Sequence, residues 1–513
     1  MTRRGPEVAR TGSGQPVVVI GAGLAGLAAA CHLQGAGYQV TVVERESIPG
    51  GRAGRFEDAG FAFDTGPTVM TMPDLVSEAL RAVGAELSDV LPMTQLDPAY
   101  RACFADGSTI MVRSGHEAMR AEIEKTCGSV DAAAFDEFVI WLRRLYLAEM
   151  PHFIDHNFDS PLGLLHKPTA AATLLRLGAF GRLGNAVRRR FTDPRLHRLF
   201  SFQAMYAGLA PDDALSLYAV ITYMDSINGV YFPVGGMHAI PTAMALAAEK
   251  AGVEFRYGET ASEILRRPPS SGTGGVAGVR LLGGEQLRAD AVVCTLDLPI
   301  AYDKLLPDLK PPRALVSGDY SPSCVVWHVG VRGPLAPEAA HHNIHFGTAW
   351  GEAFDDLLKR GALMRDPSRL VTIPSIDEPS LAPEGGSTLF VLEPTPNLSR
   401  SPARGGLDWK AEAGPMRDRL HTFLGAQGYP TEVVTERLVT PLEWQADGMA
   451  QGTPFALAHT FAQTGPFRPK NVERRVPGMV FAGSNTTPGV GVPMVLISGK
   501  LAAARVSDYL GAR

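Results

Sequence analysis

Cysteine is scarce in this sequence, and the five present (Cys31, Cys103, Cys127, Cys294 and Cys324) form no Cys-x-x-Cys pair. That spacing excludes a disulfide framework and a cysteine-based metal site, and it suits a reducing cytosol. Long apolar runs are also missing. No uninterrupted stretch reaches the roughly 18–20 residues that a membrane-spanning helix needs, so any membrane contact is expected to be peripheral. Excess positive charge is absent too: a formal net charge of −5 leaves no general electrostatic reason to bind nucleic acid. The cluster His341, His342, His345 invites a metal reading. It lacks a carboxylate at useful spacing, and adjacent residues of one strand point to opposite sides, so no metal is expected.

What is present begins near the N-terminus. Arg3 and Arg4 precede an apolar stretch that ends near Ala30-Cys31, a pattern resembling an export signal. The stretch reads better as a strand, a glycine turn and a helix. Residues 1–14 are expected to be a disordered leader. With 513 residues the chain exceeds a single simple core, so two or more domains are expected.

Pro16 to Glu44 carries the first chemistry. Val17 to Ile20 reads as a buried parallel strand, and Val40 to Val43 as a second one ending at Glu44. Between them, Gly21, Ala22, Gly23, Leu24, Ala25 and Gly26 follow the G-x-G-x-x-G pattern of a dinucleotide-binding turn. Gly21 permits the tight turn, Gly23 lets a pyrophosphate approach the backbone, and Gly26 lets helix and strand pack closely. The helix start offers free N–H groups to the anion, and Glu44 is placed to accept hydrogen bonds from a ribose. The Gly50-Gly51-Arg52 loop suits a pyrophosphate path leading toward a flavin. Asp64, Thr65 and Gly66 follow an alternating strand and are placed near the cofactor's reactive ring. At the other end of the chain, Met479 to Ala482 reads as a strand running into a glycine turn. A helix then starts near Val492, and its positive end suits the N1/O2 edge of a reduced flavin.

Between these ends the organisation is coarser. Residues 74–125 alternate helix and short strand, with a hairpin turned at Asp106-Gly107. Residues 126–227 read as mostly helical, with FDEFVIWLRRLYLAEM the clearest helix. From Pro161 to Phe191 apolar residues interleave with arginine. Leu174, Leu175, Leu177, Phe180 and Leu183 are candidates for one side, with Arg182 and Arg188 to Arg190 for another. A domain-packing helix and an interfacial membrane helix both account for this stretch. Residues 228–300 read as helix, strand, hairpin and strand, expected to extend the first sheet. The expected fold is α/β, with a Rossmann-type nucleotide domain assembled from residues 15–73, 228–300 and 471–513. An α+β substrate domain (74–125 and 301–470) and a helical, membrane-facing subdomain (126–227) are inserted.

At this point the chain resembles the bacterial-type phytoene desaturases, carotenoid desaturases within the amine-oxidase-like flavoproteins. The resemblance rests on VVVIGAGLAGLAAACHL, IPGGRAG, FDTGPTVMTMP, GVYFPVGGMHAIP, IDEPSLAPEGGSTLFVLEPTPN, FRPKN and AGSNTTPGVGVPMVLISGK. It implies one FAD and no metal. Gly21, Gly23, Gly26, Glu44, Arg45, Gly51 and Arg52 would hold its ADP half, and Gly483, Gly491, Val492 and Met494 would border the flavin. Ala261 stands where relatives commonly have a valine touching the adenine region. Ser484-Asn485 stands where many amine oxidases carry a glutamate.

The reaction implied removes two hydrogens from a CH2–CH2 unit flanked by double bonds, toward neurosporene or lycopene, with oxygen or a quinone as terminal acceptor. Asp64 is the one acid singled out near the ring, and a structural turn role accounts for it equally. A substrate so apolar, at about 0.8 kcal/mol per buried CH2, is essentially absent from water. That implies a cytoplasmic protein held peripherally at the inner face of the cell membrane. A related flavin enzyme acting on another polyene, an amine or porphyrinogen oxidase, and a lipid-escort protein without flavin share the scaffold as alternatives.

Overall fold

The computed structural model describes residues 14–160, 163, 168–268, 274–399, 402 and 405–512. The expected leader therefore lies almost wholly outside the described residues. The first strand spans Pro16–Ile20, and its last four residues are buried. It pairs in parallel with Gln39–Glu44 on one side and Ala291–Cys294 on the other. Glu254–Tyr257 and Met479–Phe481 extend the sheet to five parallel strands drawn from three distant parts of the chain.

A parallel sheet needs cover on both faces, and strand alternation supplies it here. Val17 and Val19 enter the core shared with the Leu24–Gly35 and Val492–Gly511 helices. Val18 and Ile20 enter a second core with the Leu298–Leu305 helix. The Leu24–Gly35 and Val492–Gly511 helices touch backbone to backbone. A Cβ on Gly499 would lie 2.8 Å from Cβ of Ala28 and closer still to the carbonyl of Ala25.

The 228–300 block joins this sheet only in part. Its strands Glu254–Tyr257 and Ala291–Cys294 do so, whereas Ala261–Arg266, Val276–Leu281 and Gln286–Arg288 form a separate antiparallel sheet. The physical reason is their half-buried pattern: Ile264, Val279 and Leu281 cover the second face of the main sheet and leave their other side to solvent.

A seven-stranded sheet stands beside the first. In order it contains Glu432–Val439, Ser323–Arg332, Gly386–Thr395, Arg369–Thr372, His342–Phe346, Tyr100–Phe104 and Thr109–Val112. The last two are the hairpin turned at Asp106-Gly107, and they dock in parallel on His342–Phe346. The long helix runs from Ser129 to Glu149 and passes into a wider π turn at Met150–Ile154.

Two expectations are corrected. The 161–191 stretch is not one amphipathic helix. Residues 161, 162 and 164–167 lie outside the described residues, and helices span Pro168–Arg176 and Leu183–Arg188. Leu174 and Leu183 are buried, while Leu175 is 67% and Phe180 45% exposed. The break at Gly178 and Gly181 turns the two halves independently, so the apolar residues divide between core and surface. The second correction concerns the histidines. The rings of His341 and His342 lie 4.5 Å apart, because His341 precedes the strand and escapes its alternation. His341 meets Asp377 at 2.7 Å, His342 lies between the carbonyls of Ala99 and Thr68, and His345 meets the Tyr429 hydroxyl. Among the described residues no cluster of three or more His, Cys, Asp or Glu is placed to hold a metal, and no helix is long and apolar enough to cross a membrane.

Candidate active site

The carboxyl ends of the five parallel strands open into one cavity of about 1580 Å3. Ligands of open α/β sheets bind at that edge, where the loops leave the strands. Pockets for one small ligand run to about 1000 Å3 at most, so this cavity has room for a dinucleotide and a long second molecule.

The turn after the first strand is built by exclusion. A Cβ on Gly26 would overlap the carbonyl oxygen of Gly21, and one on Gly21 would overlap the Thr295 hydroxyl. Gly23, Leu24 and Ala25 reach the cavity, while Ala22 and Gly26 shape the turn without lining it. The Leu24–Gly35 helix starts with no side-chain cap and no acid in its first turn, which leaves its N–H groups for an anion. The Gly50-Gly51 loop lies against this turn. Gly50 N donates to Ala22 O at 2.9 Å, and a Cβ on Gly51 would come within 3.2 Å of Gly23 Cα.

Glu44 closes its strand with the carboxylate fixed from two sides. Oε2 accepts from Ala22 N at 2.7 Å, and Oε1 accepts from Glu46 N at 3.0 Å. Two backbone donors hold the anion in the cavity wall with acceptor capacity to spare. Arg45 beside it is exposed and donates to Asp447 O. Arg52 donates to Ser484 Oγ at 2.6 Å and to Pro454 O at 3.1 Å. Thr65, Gly66 and Ala261 also line the cavity, as do Gly483, Gly491, Val492 and Met494.

The Val492–Gly511 helix has the same open start, with no capping side chain and no acid in its first turn. One cavity is thus lined by two uncapped helix starts. That arrangement fits a molecule with a pyrophosphate for one and an electron-rich ring edge for the other. The glycine contacts leave the approach to backbone amides free on both sides, so the residues present fit FAD.

Asp64 is turned elsewhere. Its Oδ2 accepts from Met237 N at 2.7 Å and its Oδ1 from His238 N at 3.1 Å, at the start of the Ala239–Lys250 helix. It does not line the large cavity, and burial raises its pKa against those stabilising N–H donors.

Other groups were not singled out from sequence. Arg468, in the FRPKN motif, is fully enclosed and donates to the carbonyls of Leu457, Gln463, Ser484 and Thr486. It ties the Leu457–Gln463 segment to the loop before the last helix, and burial lowers its pKa to about 10. Asp297 accepts from Ala450 N at 2.8 Å and from the Asn485 amide, and lines the cavity. Asp225 is buried in the cavity wall, hydrogen-bonded to Tyr100 and Ser226; burial raises its pKa to about 7. The remaining wall is largely apolar, including Phe202, Ile221, Met224, Phe346, Trp350 and Phe354.

Residues 24–507 match the family model of the flavin containing amine oxidoreductases. The chain is 50% identical to a phytoene dehydrogenase of Streptomyces griseus, over 96% of this chain and 95% of that one. It is 36% identical to a zeta-carotene-forming phytoene desaturase of Myxococcus xanthus, over 98% and 95%. Among solved structures, an oxidoreductase from Methanosarcina mazei has the same fold, with a TM-score of 0.59 at 16% identity over 95% of this chain and 99% of that one. The chain belongs to the flavin-containing amine oxidoreductase family, on its phytoene desaturase branch, and is an oxidoreductase with FAD as its cofactor.

Proposed function

We propose that this protein introduces conjugated double bonds into phytoene or a closely related polyene, and that both cofactor and hydrocarbon occupy the large cavity at the carboxyl ends of the strands. The observation that carries this reading is the cavity's composition. Two uncapped helix starts and the glycine turn meet the polar demands of a dinucleotide, and the rest of the wall is apolar, with Phe202, Phe346 and Trp350 among its residues. Gly21 through Gly26, Glu44, Arg45, Gly51 and Arg52 are assigned to the ADP half. Thr65, Gly66, Ala261, Gly483, Gly491, Val492 and Met494 complete the enclosure. Bound there, FAD supplies a two-electron acceptor for hydride.

The protein's own residues position and desolvate. The apolar wall strips water from the polyene and aligns successive CH2–CH2 units; excluding water also protects a developing allylic cation. Oxygen or a quinone takes the electrons onward. The chain divides into the nucleotide-binding segments 15–73, 228–300 and 471–513, with the substrate and helical segments inserted between them.

Substrate delivery comes from a bilayer. Phe180, Phe461 and Phe467 line the cavity, yet they are 45%, 58% and 39% exposed. Exposed aromatics at the edge of an apolar cavity suit contact with the membrane interface. The protein therefore sits peripherally on the cytoplasmic face of the membrane.

The test is anaerobic incubation of the purified, flavin-loaded protein with phytoene in liposomes, followed by pigment chromatography and flavin spectroscopy. Bleaching of the flavin with stoichiometric appearance of a longer polyene is expected. Unchanged phytoene beside a flavin that stays oxidised rejects the substrate assignment.

A further inference from the structure

Strand alternation turns one face of the seven-stranded sheet into a floor for the cavity. Val439, Val326, Leu392, Leu370 and Ile344 stand directly opposite one another on five adjacent strands, and all five line the cavity. At about 4.8 Å between neighbouring strands, this row spans roughly 19 Å. It is an apolar track running across the strands.

The two ends of the track differ. Just before Val326, the Thr453 hydroxyl donates to Pro322 O at 2.8 Å, and the carbonyl of the adjoining Pro454 accepts from Arg52. Those contacts set the start of the Ser323–Arg332 strand beside the segments assigned to the cofactor. At the other end the floor stops at Phe346, whose ring stacks on Phe104 of the next strand with centroids 5.4 Å apart.

Aromatic rings from two further segments close that end. Phe202, from the helical segment, meets Phe346 edge-on at 6.0 Å, Trp350 meets Phe346 at 5.7 Å, and Phe354 meets Trp350 at 5.0 Å. All four rings line the cavity, and edge-to-face pairs at these separations are a favoured aromatic packing, so the wall supports itself. Trp350 is half-buried and forms the outer part of the wall. Arg198 braces the loop that carries it: the guanidinium donates to the carbonyls of Gly347 and Thr348 and lies over the indole at 5.9 Å.

We propose that this wall of Phe202, Phe346, Trp350 and Phe354 is the stop against which the branched apolar end of the polyene seats, and that its distance from the cofactor selects which CH2–CH2 unit is dehydrogenated. This rests on the desaturase reading above. A hydrocarbon offers no polar group by which a site could fix its register. Along a uniformly apolar track, neighbouring sliding positions differ little in energy, so register has to come from shape. A steric stop supplies it, because even one methylene in a close-fitting apolar site changes rates by about 10–200-fold. Trp350 and its companions are specificity-determining residues in this scheme: they touch the far end of the substrate and set the position of the reacting carbons.

The test uses full-length, FAD-loaded protein under anaerobic single turnover, with liposomal phytoene or an analogue lengthened by one isoprene unit at each end. Flavin bleaching gives the rate, and chromatography with mass-spectral fragmentation gives the position of the first new double bond. Wild type is expected to react with the lengthened analogue at least about 10-fold more slowly than with phytoene, and Trp350→Ala to bring the two rates within about threefold. On phytoene, Trp350→Ala is expected to place the first new bond at more than one position. Trp350→Phe, which keeps a ring in the wall, is expected to keep the wild-type preference, and bound FAD per chain is expected to be the same in all variants. If Trp350→Ala does not fold, Trp350→Leu decides the same question. Equal rates for the two polyenes in wild type, an unchanged preference and first product in the Ala or Leu variant, or loss of FAD from it overturns the proposal. Those outcomes with a wild type active on phytoene leave the desaturase reading standing, whereas a wild type inactive on phytoene removes that reading itself.

Discussion

Arg52 Nη1 donates to Ser484 Oγ at 2.6 Å, joining the loop after the second strand to the loop before the last helix. The same nitrogen donates to Pro454 O at 3.1 Å, so one guanidinium gathers three segments of the cavity wall. Asp297 contributes favourable charge nearby, against the desolvation that burial imposes.

Removing this guanidinium should open the wall from both ends. Hydrogen bonds to a charged group contribute about 1.5–3 kcal/mol each. Arg52→Ala is expected to lower stability by roughly 2–3 kcal/mol and to release FAD on dialysis. Ser484→Ala should cost only about 1 kcal/mol, since the other partner remains. Denaturant midpoints and retained flavin absorbance measure both; equal effects from the two variants would contradict the assignment.

Glycine substitutions separate a close approach from a merely strained turn. At Gly26 an added Cβ meets the backbone of Gly21, which cannot swing away. Gly26→Ala should destabilise the protein by about 1–3 kcal/mol, the usual cost of overpacking, and abolish flavin colour. Gly60, with φ of +83° and nothing within 4 Å of a Cβ, should tolerate alanine at about 1 kcal/mol with flavin retained.

The buried Asp225 sets a pH dependence with a definite sign. Its folded-state pKa, raised to about 7 by burial, exceeds the unfolded value near 3.9, so the folded protein binds the extra proton between those limits. Stability from this group is therefore greatest at low pH and is lost as pH rises from about 4 through 7, by up to about 4 kcal/mol. Asp225→Asn should remove that slope. Urea unfolding of both proteins at pH 5 and pH 8 gives the difference; parallel pH profiles would rule the explanation out.

At the exposed edge of the cavity, Phe461 and Phe467 pair with ring centroids 5.7 Å apart. Each full aromatic burial is worth roughly 1.5–3 kcal/mol. Replacing Phe180, Phe461 and Phe467 together by serine should cut vesicle co-sedimentation at least 10-fold while leaving the flavin spectrum intact. Undiminished pelleting of the triple variant would move the docking surface elsewhere.

The two ends of the chain were legible for local reasons. A glycine at Gly21, Gly23 or Gly26 answers to a turn and a helix start within a few residues, and an open start at Val492 follows from Gly491 and Pro493. The 161–191 stretch was not legible in the same way. Leu174 and Leu175 are chemically alike and adjacent, yet one is buried and the other exposed. His341 and His342 misled because alternation holds only inside a strand. Arg468 gave no spacing signal at all; its role depends on carbonyls brought from other segments.

By itself, then, the sequence determined the nucleotide-binding turn, its acid at Glu44, and the helix start that faces it across the cavity, because those depend on short-range backbone geometry. Only the tertiary structure decided that Asp64 serves a helix start and that Arg52, Arg468 and Asp297 clasp distant loops. It also decided which cavity-lining side chains, Arg55, Glu149, Glu259, His328 and His459, keep a buried polar atom without a partner among the described residues. Burial and pairing set those outcomes, and both are properties of segments that meet only after the chain has folded.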